Sequence, residues 1–167
     1  MLIIEYEKKA NKSIKKLIDD AISFAFCELM ARVKRPVYLN IIPDRNLANN
    51  IGVYGDCLYE EDREFTLRID TKLTPTEIAK TVIHEMVHVR QYERRVEMDD
   101  TLPYLDRPYE QEAYKLQEEL WELYNQKKEK AITTICYESL RKKTKDSVST
   151  IDLTELSSTS SLTKLNA

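Results

Sequence analysis

Apolar residues along this chain follow two rhythms. From about Asn11, the residues Ile14, Leu17, Ile18, Ala21, Ile22, Ala25 and Leu29 return every three or four positions. That spacing predicts a helix with one wide buried face, closed off before Pro36. Lys15, Lys16, Asp19 and Asp20 fall on its other side and read as a solvated face. A second helical rhythm, Ile78, Val82, Met86 and Val89, begins behind Thr74-Pro75-Thr76-Glu77. Those four residues have the form of a capping box with proline at the first helical position. Arg94 and Arg95 suit the negative pole at the far end, so this helix is expected over 75–95. A third rhythm, Tyr109, Ala113, Leu116, Leu120, Leu123 and Tyr124, predicts a helix over 107–130, after a loop from Met98 to Arg107.

The other rhythm has period two. Phe65-Thr66-Leu67-Arg68-Ile69-Asp70 alternates apolar and polar and predicts a half-buried strand. The segment before it, Ile51 to Tyr59, holds both glycines of the chain, Gly52 and Gly55, and reads as the first strand of a hairpin. Glycine inside a strand marks a bend or bulge, or a close approach by another backbone. Leu2 to Tyr6 and Val37 to Ile42 are further short strands, the latter stopped by the turn composition Pro43-Asp44-Arg45-Asn46. The expected fold class is α+β, a small mixed β-sheet packed on helices. One domain is expected over 1–143, including a poorly patterned helical extension past 130. From Thr144 onward serine and threonine dominate and aromatics vanish. That tail, 144–167, is expected to be disordered or to order only on a protein partner.

At 167 residues the chain is long enough to bury a core. Its 26 basic and 29 acidic side chains leave a net charge of −3, with no basic excess to release counterions from a nucleic acid or an anionic membrane. The basic run Arg141-Lys142-Lys143 reads as solvated. Cys27, Cys57 and Cys136 are odd in number and lack C-x-x-C spacing, which argues against a disulfide framework and fits a reducing compartment. The apolar run Met1 to Ile4 is too short for a signal peptide, and no stretch approaches the length of a membrane span. A cytoplasmic location and no membrane partner are therefore expected.

The chemistry concentrates in His84-Glu85-Met86-Val87-His88, which uses both histidines of the chain in an H-E-x-x-H arrangement. On a helix, positions i and i+4 lie one above the other, so two imidazoles can reach one zinc ion while Glu85 stands beside it as a base for a metal-bound water. A catalytic zinc site takes three protein ligands. With no third histidine, a carboxylate is the natural replacement, and the start of the next helix, Arg107-Pro108-Tyr109-Glu110-Gln111-Glu112-Ala113-Tyr114, offers two, Glu110 and Glu112. Carboxylates in a first turn also favour the helix dipole without any metal.

The pairing of H-E-x-x-H with a later E-x-x-A resembles the gluzincin branch of the zincin metallopeptidases, above all the minimal forms of phages and bacteria of the ImmA/IrrE type. The likeness covers roughly Phe65 to Leu120. It implies Zn²⁺ held by His84, His88 and Glu110, with Ala113 as the small residue that lets the helices pack closely. It also implies Glu85 as general base, an extended peptide or protein substrate lying along the Gly52–Tyr59 strand, and hydrolysis of peptide bonds. Tyr114 stands where the family commonly carries Asp or Asn, so the usual partner of a ligand histidine is missing. No oxyanion donor follows from the motif, although Tyr92, Tyr109 and Tyr114 lie nearby in sequence. SprT-like proteases, which act near DNA, share the helix motif but use a third histidine that this chain lacks. The alternative expectation is a non-catalytic regulatory or partner-binding module with a structural or vestigial zinc site, which a fourth protein donor such as Cys57 would favour.

Overall fold

The structure, a computed structural model, describes residues 1–148. The expected Ser/Thr-rich tail therefore lies, from 149 on, outside the described residues. The architecture is α+β. A four-stranded mixed sheet of β1 (Leu2–Tyr6), β2 (Val37–Asp44), β3 (Gly55–Tyr59) and β4 (Glu64–Asp70) has the order β1-β2-β4-β3. The first two pairings are parallel, and the β3–β4 hairpin is antiparallel. The helices are α1 (Lys12–Met30), α2 (Leu47–Ile51), α3 (Pro75–Glu93) and α4 (Pro108–Val148), with a 3-10 turn at Tyr104–Asp106. Two compact units are distinguished, Met1–Asn125 and Gln126–Ala167; the described part of the second, 126–148, is helical. No helix among the described residues is long and apolar enough to cross a membrane.

Alternation places Val37, Leu39 and Ile41 of β2 and Phe65, Leu67 and Ile69 of β4 on one sheet face. They form a single core with Ile18, Ala21, Ile22 and Ala25 of α1 and Ile78, Val82, Ile83, Met86 and Val89 of α3. Asn11 caps α1 by accepting a hydrogen bond from Ser13 N. The expected solvated face of α1 carries the pairs Lys15–Asp19 and Lys16–Asp20 one turn apart. β2 runs two residues past its expected end because β1 pairing stops at Ile41, so Pro43, which has no N–H to give, stands where no strand asks for one. α4 runs 18 residues past 130 because nothing stops it: neither glycine nor proline follows Pro108.

α3 holds the functional motif, and its start matches the sequence signal. Thr74 Oγ1 accepts from Glu77 N, and the Glu77 carboxylate accepts from Thr74 N at 2.8 Å. The helix is encased rather than amphipathic. Besides its apolar stripe it buries Thr81, His84, Glu85, His88 and Gln91. These five charged or polar side chains must then find partners inside the protein, since a buried polar group left unpaired is costly.

The two glycines separate into different roles. Gly52 is not in a strand. It ends the short helix α2 with φ 78°, a left-handed conformation, and its N–H bonds to Ala48 O at 2.9 Å. Asp70, almost fully buried, accepts from Ala48 N at 2.9 Å and from Lys72 N at 2.8 Å, which fixes α2 against the end of β4. Gly55 opens β3 where α3 passes closest: a Cβ there would stand 2.5 Å from Thr81 Cγ2 and 2.9 Å from Glu85 Oε1. Gly55→Ala is expected to destabilise the protein by about 1–3 kcal/mol, the usual cost of overpacking. Thr81→Ser removes the nearer clash and is expected to return part of that loss. Denaturant unfolding of the two variants measures it, and an unaffected Gly55→Ala protein would contradict the packing described.

Candidate metal centre

His84 and His88 come from consecutive turns of α3, and their rings stand edge to face with centroids 4.8 Å apart. Glu110 comes from the first turn of α4. The three side chains converge on one point. His84 Nε2 and His88 Nε2 are 3.1 Å apart, and Glu110 Oε2 lies 3.3 Å from the first and 3.5 Å from the second. All three residues are buried, and together they form a group that could hold a metal ion. Two donors each about 2.0–2.1 Å from a tetrahedral cation stand roughly 3.3 Å from each other, so the observed spacing fits a single small ion. Neither Cys57 nor Asp56 belongs to the donor group, which among the described residues has three members.

The sequence offered Glu110 and Glu112 as third ligands, and the fold gives them different tasks. Glu112 turns away from the histidines, towards Gln91 Nε2 at 2.9 Å and Arg90 Nη1 at 3.3 Å. Gln91 had drawn no notice in the sequence, yet its amide bonds to three groups beside the site. Its Nε2 also donates to Tyr109 O at 2.8 Å, and its Oε1 lies 2.7 Å from His88 Nδ1. Because Tyr109 O and the Glu112 carboxylate only accept, the amide nitrogen must face them and the amide oxygen must face the ring. His88 Nδ1 therefore carries hydrogen and its Nε2 is left for Glu110 or a cation. A signal for this was present, since Gln91 is one turn beyond His88 on the same helix face. His84 is held differently. Its Nδ1 has no hydrogen-bond partner among the described residues, and the ring instead packs on Tyr114 with centroids 4.7 Å apart. Tyr114 thus supplies ring packing to a histidine whose Nδ1 is without a hydrogen-bonding partner among the described residues.

Charge at the site is strongly shaped by burial. Burial pushes the Glu85 carboxyl up to about 8; His88 pulls against this, and the carboxylates of Asp56 and Glu110 add to it. Burial would raise Glu110 as well, but hydrogen bonds with His84 and His88 overcome it and hold Glu110 at about 2. His88 is raised: burial disfavours its charged form, but Glu110 and Glu85 outweigh that cost. In the metal-free protein a proton therefore sits among these groups, and a cation binding there displaces it.

Tyr104 was also missed, because it lies in a loop without periodicity. Its hydroxyl interacts with Tyr114 and Glu110, and burial followed by these two neighbours raises its pKa. The other tyrosines near the motif serve elsewhere: Tyr92 stacks on Tyr59 at 5.4 Å, and Tyr109 donates to Asp100 Oδ1 at 2.5 Å. Of the cysteines, Cys27 is exposed rather than buried, Cys57 is partly buried with its thiol pKa raised by burial, and Cys136 has no described side chain.

The site opens onto a groove. On one side of His84 and Glu85 a limb of about 590 Å³ is bordered by Val53, Tyr54, Tyr104 and Tyr114. On the other side a limb of about 200 Å³ is bordered by Asp56, His88, Asp100 and Glu110. Val53, Gly55 and Tyr104 border both. No protein-family model matches the chain, and no curated protein matches it significantly.

Two expectations follow. His88→Ala and Glu110→Gln are expected to lose bound metal, Glu112→Gln to keep it, and Gln91→Ala to weaken it about 10–100-fold; metal content and competition with a chelator measure this. In the metal-free protein Glu85, raised from 4.5 to about 8, stabilises the fold fully below pH 4.5 and loses that contribution as pH rises through about 8. Glu85→Gln is therefore expected to leave the metal-free melting temperature nearly unchanged near pH 4.5 and to raise it above pH 8. A gain of about 4 °C or more is expected there, and equal melting at both pH values would contradict the assignment.

Proposed function

We propose that this chain is a zinc-dependent peptidase of the small gluzincin kind, acting on peptides or proteins. The observation that carries this reading is the convergence of His84, His88 and Glu110 to within 3.5 Å beside an open groove, with Glu85 bordering both limbs of that groove. Two imidazoles and one carboxylate are the His₂Glu donor set of catalytic zinc, and three protein donors is the count of a catalytic rather than a closed structural site. The encased helix α3 and the full burial of Ala113 on α4 support the zincin-like arrangement that the sequence resembles.

Zinc, when bound, supplies a Lewis acid for the scissile carbonyl and lowers the pKa of a water toward neutrality. The residues of the chain do the rest. His84, His88 and Glu110 hold the ion, and Gln91 fixes the His88 ring in the tautomer that presents Nε2. Glu85, ionised more readily once a cation replaces the shared proton, accepts a proton from water and passes it to the leaving amine. Tyr104 directs its hydroxyl toward the same region and serves as hydrogen-bond donor to the oxygen of the substrate carbonyl. β3 is an edge strand paired only with β4 among the described residues, and its free side is suited to pair with an extended substrate backbone.

Glu85→Gln is expected to retain zinc and to lose turnover by a factor on the order of 10²–10⁴. Tyr104→Phe is expected to lower kcat on the order of 10²-fold with KM little changed. Peptide hydrolysis by the purified, zinc-loaded chain, with zinc content measured in parallel, tests both. Hydrolysis that survives Glu85→Gln or a strong chelator would sink the reading.

A further inference from the structure

The two limbs of the groove differ in size, and the larger one presents half-exposed rings that have room before them. Tyr54 comes from the approach to β3, Tyr104 from the 3-10 turn and Tyr114 from α4, and all three border the limb of about 590 Å³. They are 56 %, 41 % and 42 % exposed, so three elements distant in sequence bring half-bare aromatic rings to one space. Tyr104 and Tyr114 stand edge to face at 6.4 Å, the geometry in which one ring already satisfies another and a third can be added. Val53 adds an apolar side chain to the wall, and Gly52, with nothing within 4 Å of a Cβ position, leaves the mouth beside it clear.

Charge points the same way. Lys80 lies at the edge of this limb but is paired with Glu118 at 2.8 Å, and Glu77 is committed to the cap of α3. A carboxylate entering the limb would meet Glu77, Glu85 and Glu118 on its border and would have to break the Lys80–Glu118 pair to gain a partner. A methyl group would leave the tyrosine faces wet. A planar aromatic side chain covers them and asks for no charge. The smaller limb is also bordered by tyrosines, Tyr92, Tyr104 and Tyr109, but it is about a third of the size. Tyr109 is buried, Tyr92 is stacked on Tyr59, and Asp56, Asp100 and Glu110 put carboxylates on its wall.

We infer that the ring-lined limb is the specificity pocket of the site and takes an aromatic side chain of a peptide whose backbone crosses His84 and Glu85. This rests on the peptidase reading, and it assigns the substrate class: peptides with Phe, Tyr or Trp at one fixed position beside the cleaved bond.

Two measurements on the full chain separate the inference from the reading beneath it. In the first, zinc-loaded wild type and Glu85→Gln act on a complex peptide mixture, and cleavage sites are mapped by mass spectrometry. Aromatic residues are expected to be enriched about tenfold over alanine at one position, because a well-filled aromatic pocket is worth a factor of this order. In the second, NMR follows binding of N-acetyl-phenylalaninamide and N-acetyl-alaninamide to wild type and to Val53→Trp, a variant that fills the limb. The phenyl compound is expected to shift the amides of Val53, Thr81 and Gln117 in wild type alone, and the alanine compound to shift none of them. A folded, zinc-binding Val53→Trp protein serves as the control. Glu85-dependent cleavage without aromatic enrichment overturns the pocket and leaves the peptidase reading standing. Phenyl binding at the limb without any Glu85-dependent cleavage supports the pocket and counts against the peptidase reading. Equal binding of both compounds, or shifts confined to other regions, overturns the pocket whatever the cleavage result.

Discussion

Two imidazole nitrogens and a carboxylate oxygen facing one another across 3.1–3.5 Å inside a protein repel unless a hydrogen or a cation lies among them. Everything around the site can be read as a response to that constraint. The donors are buried, so water cannot screen them, and the low local dielectric raises the cost of leaving them uncompensated. A shared proton satisfies the group in part, which is why Glu110 is held low and His88 high. A dication satisfies it more fully, and the separations match those set by a tetrahedral coordination sphere.

Holding three such donors together demands a scaffold that cannot relax away from them. α3 provides it by being buried on nearly all sides, against the sheet and α1 on its apolar stripe and beside the start of α4 on the stripe that carries the histidines. Gln91 joins the two helices with one amide: one end holds His88 and the other holds Tyr109 O and Glu112 of α4. On the opposite flank, Asp70 fixes α2, α2 ends at Gly52, and the chain emerges into β3 with Gly55 against Thr81 and Glu85. The groove wall and the donor cluster meet at Glu85, and again where Tyr114 packs on His84 and Tyr104 reaches Glu110.

Much of this could be read in the sequence, for a physical reason. The capping box, the spacing of the histidines and the alternation in β4 are local patterns, set by helical and pleated geometry over a few residues. The short helix α2 escaped notice because five residues carry too little periodicity, and Gly52 suggested a strand bend instead of a left-handed cap. The encasement of α3 escaped because Thr81 and Gln91 are buried by tertiary neighbours and not by any pattern of their own. The division of labour between Glu110 and Glu112 depends on which way α4 is turned, a fact of packing that their two-residue separation does not encode. Tyr104 is brought to Glu110 only by the loop between α3 and α4, and no spacing rule connects them.

The order of the strands has one more consequence. β3, which flanks the groove, is the outermost strand next to β4, whereas α3, which carries the histidines, is packed into the core. β3 is hydrogen-bonded to β4 alone among the described strands, yet it rests on α3 at Gly55 and through the stacking of Tyr59 on Tyr92. Its outer edge is thus held to the core while the backbone groups along it stay open to pairing. A chain laid along that edge is put in register with the donors before it touches them.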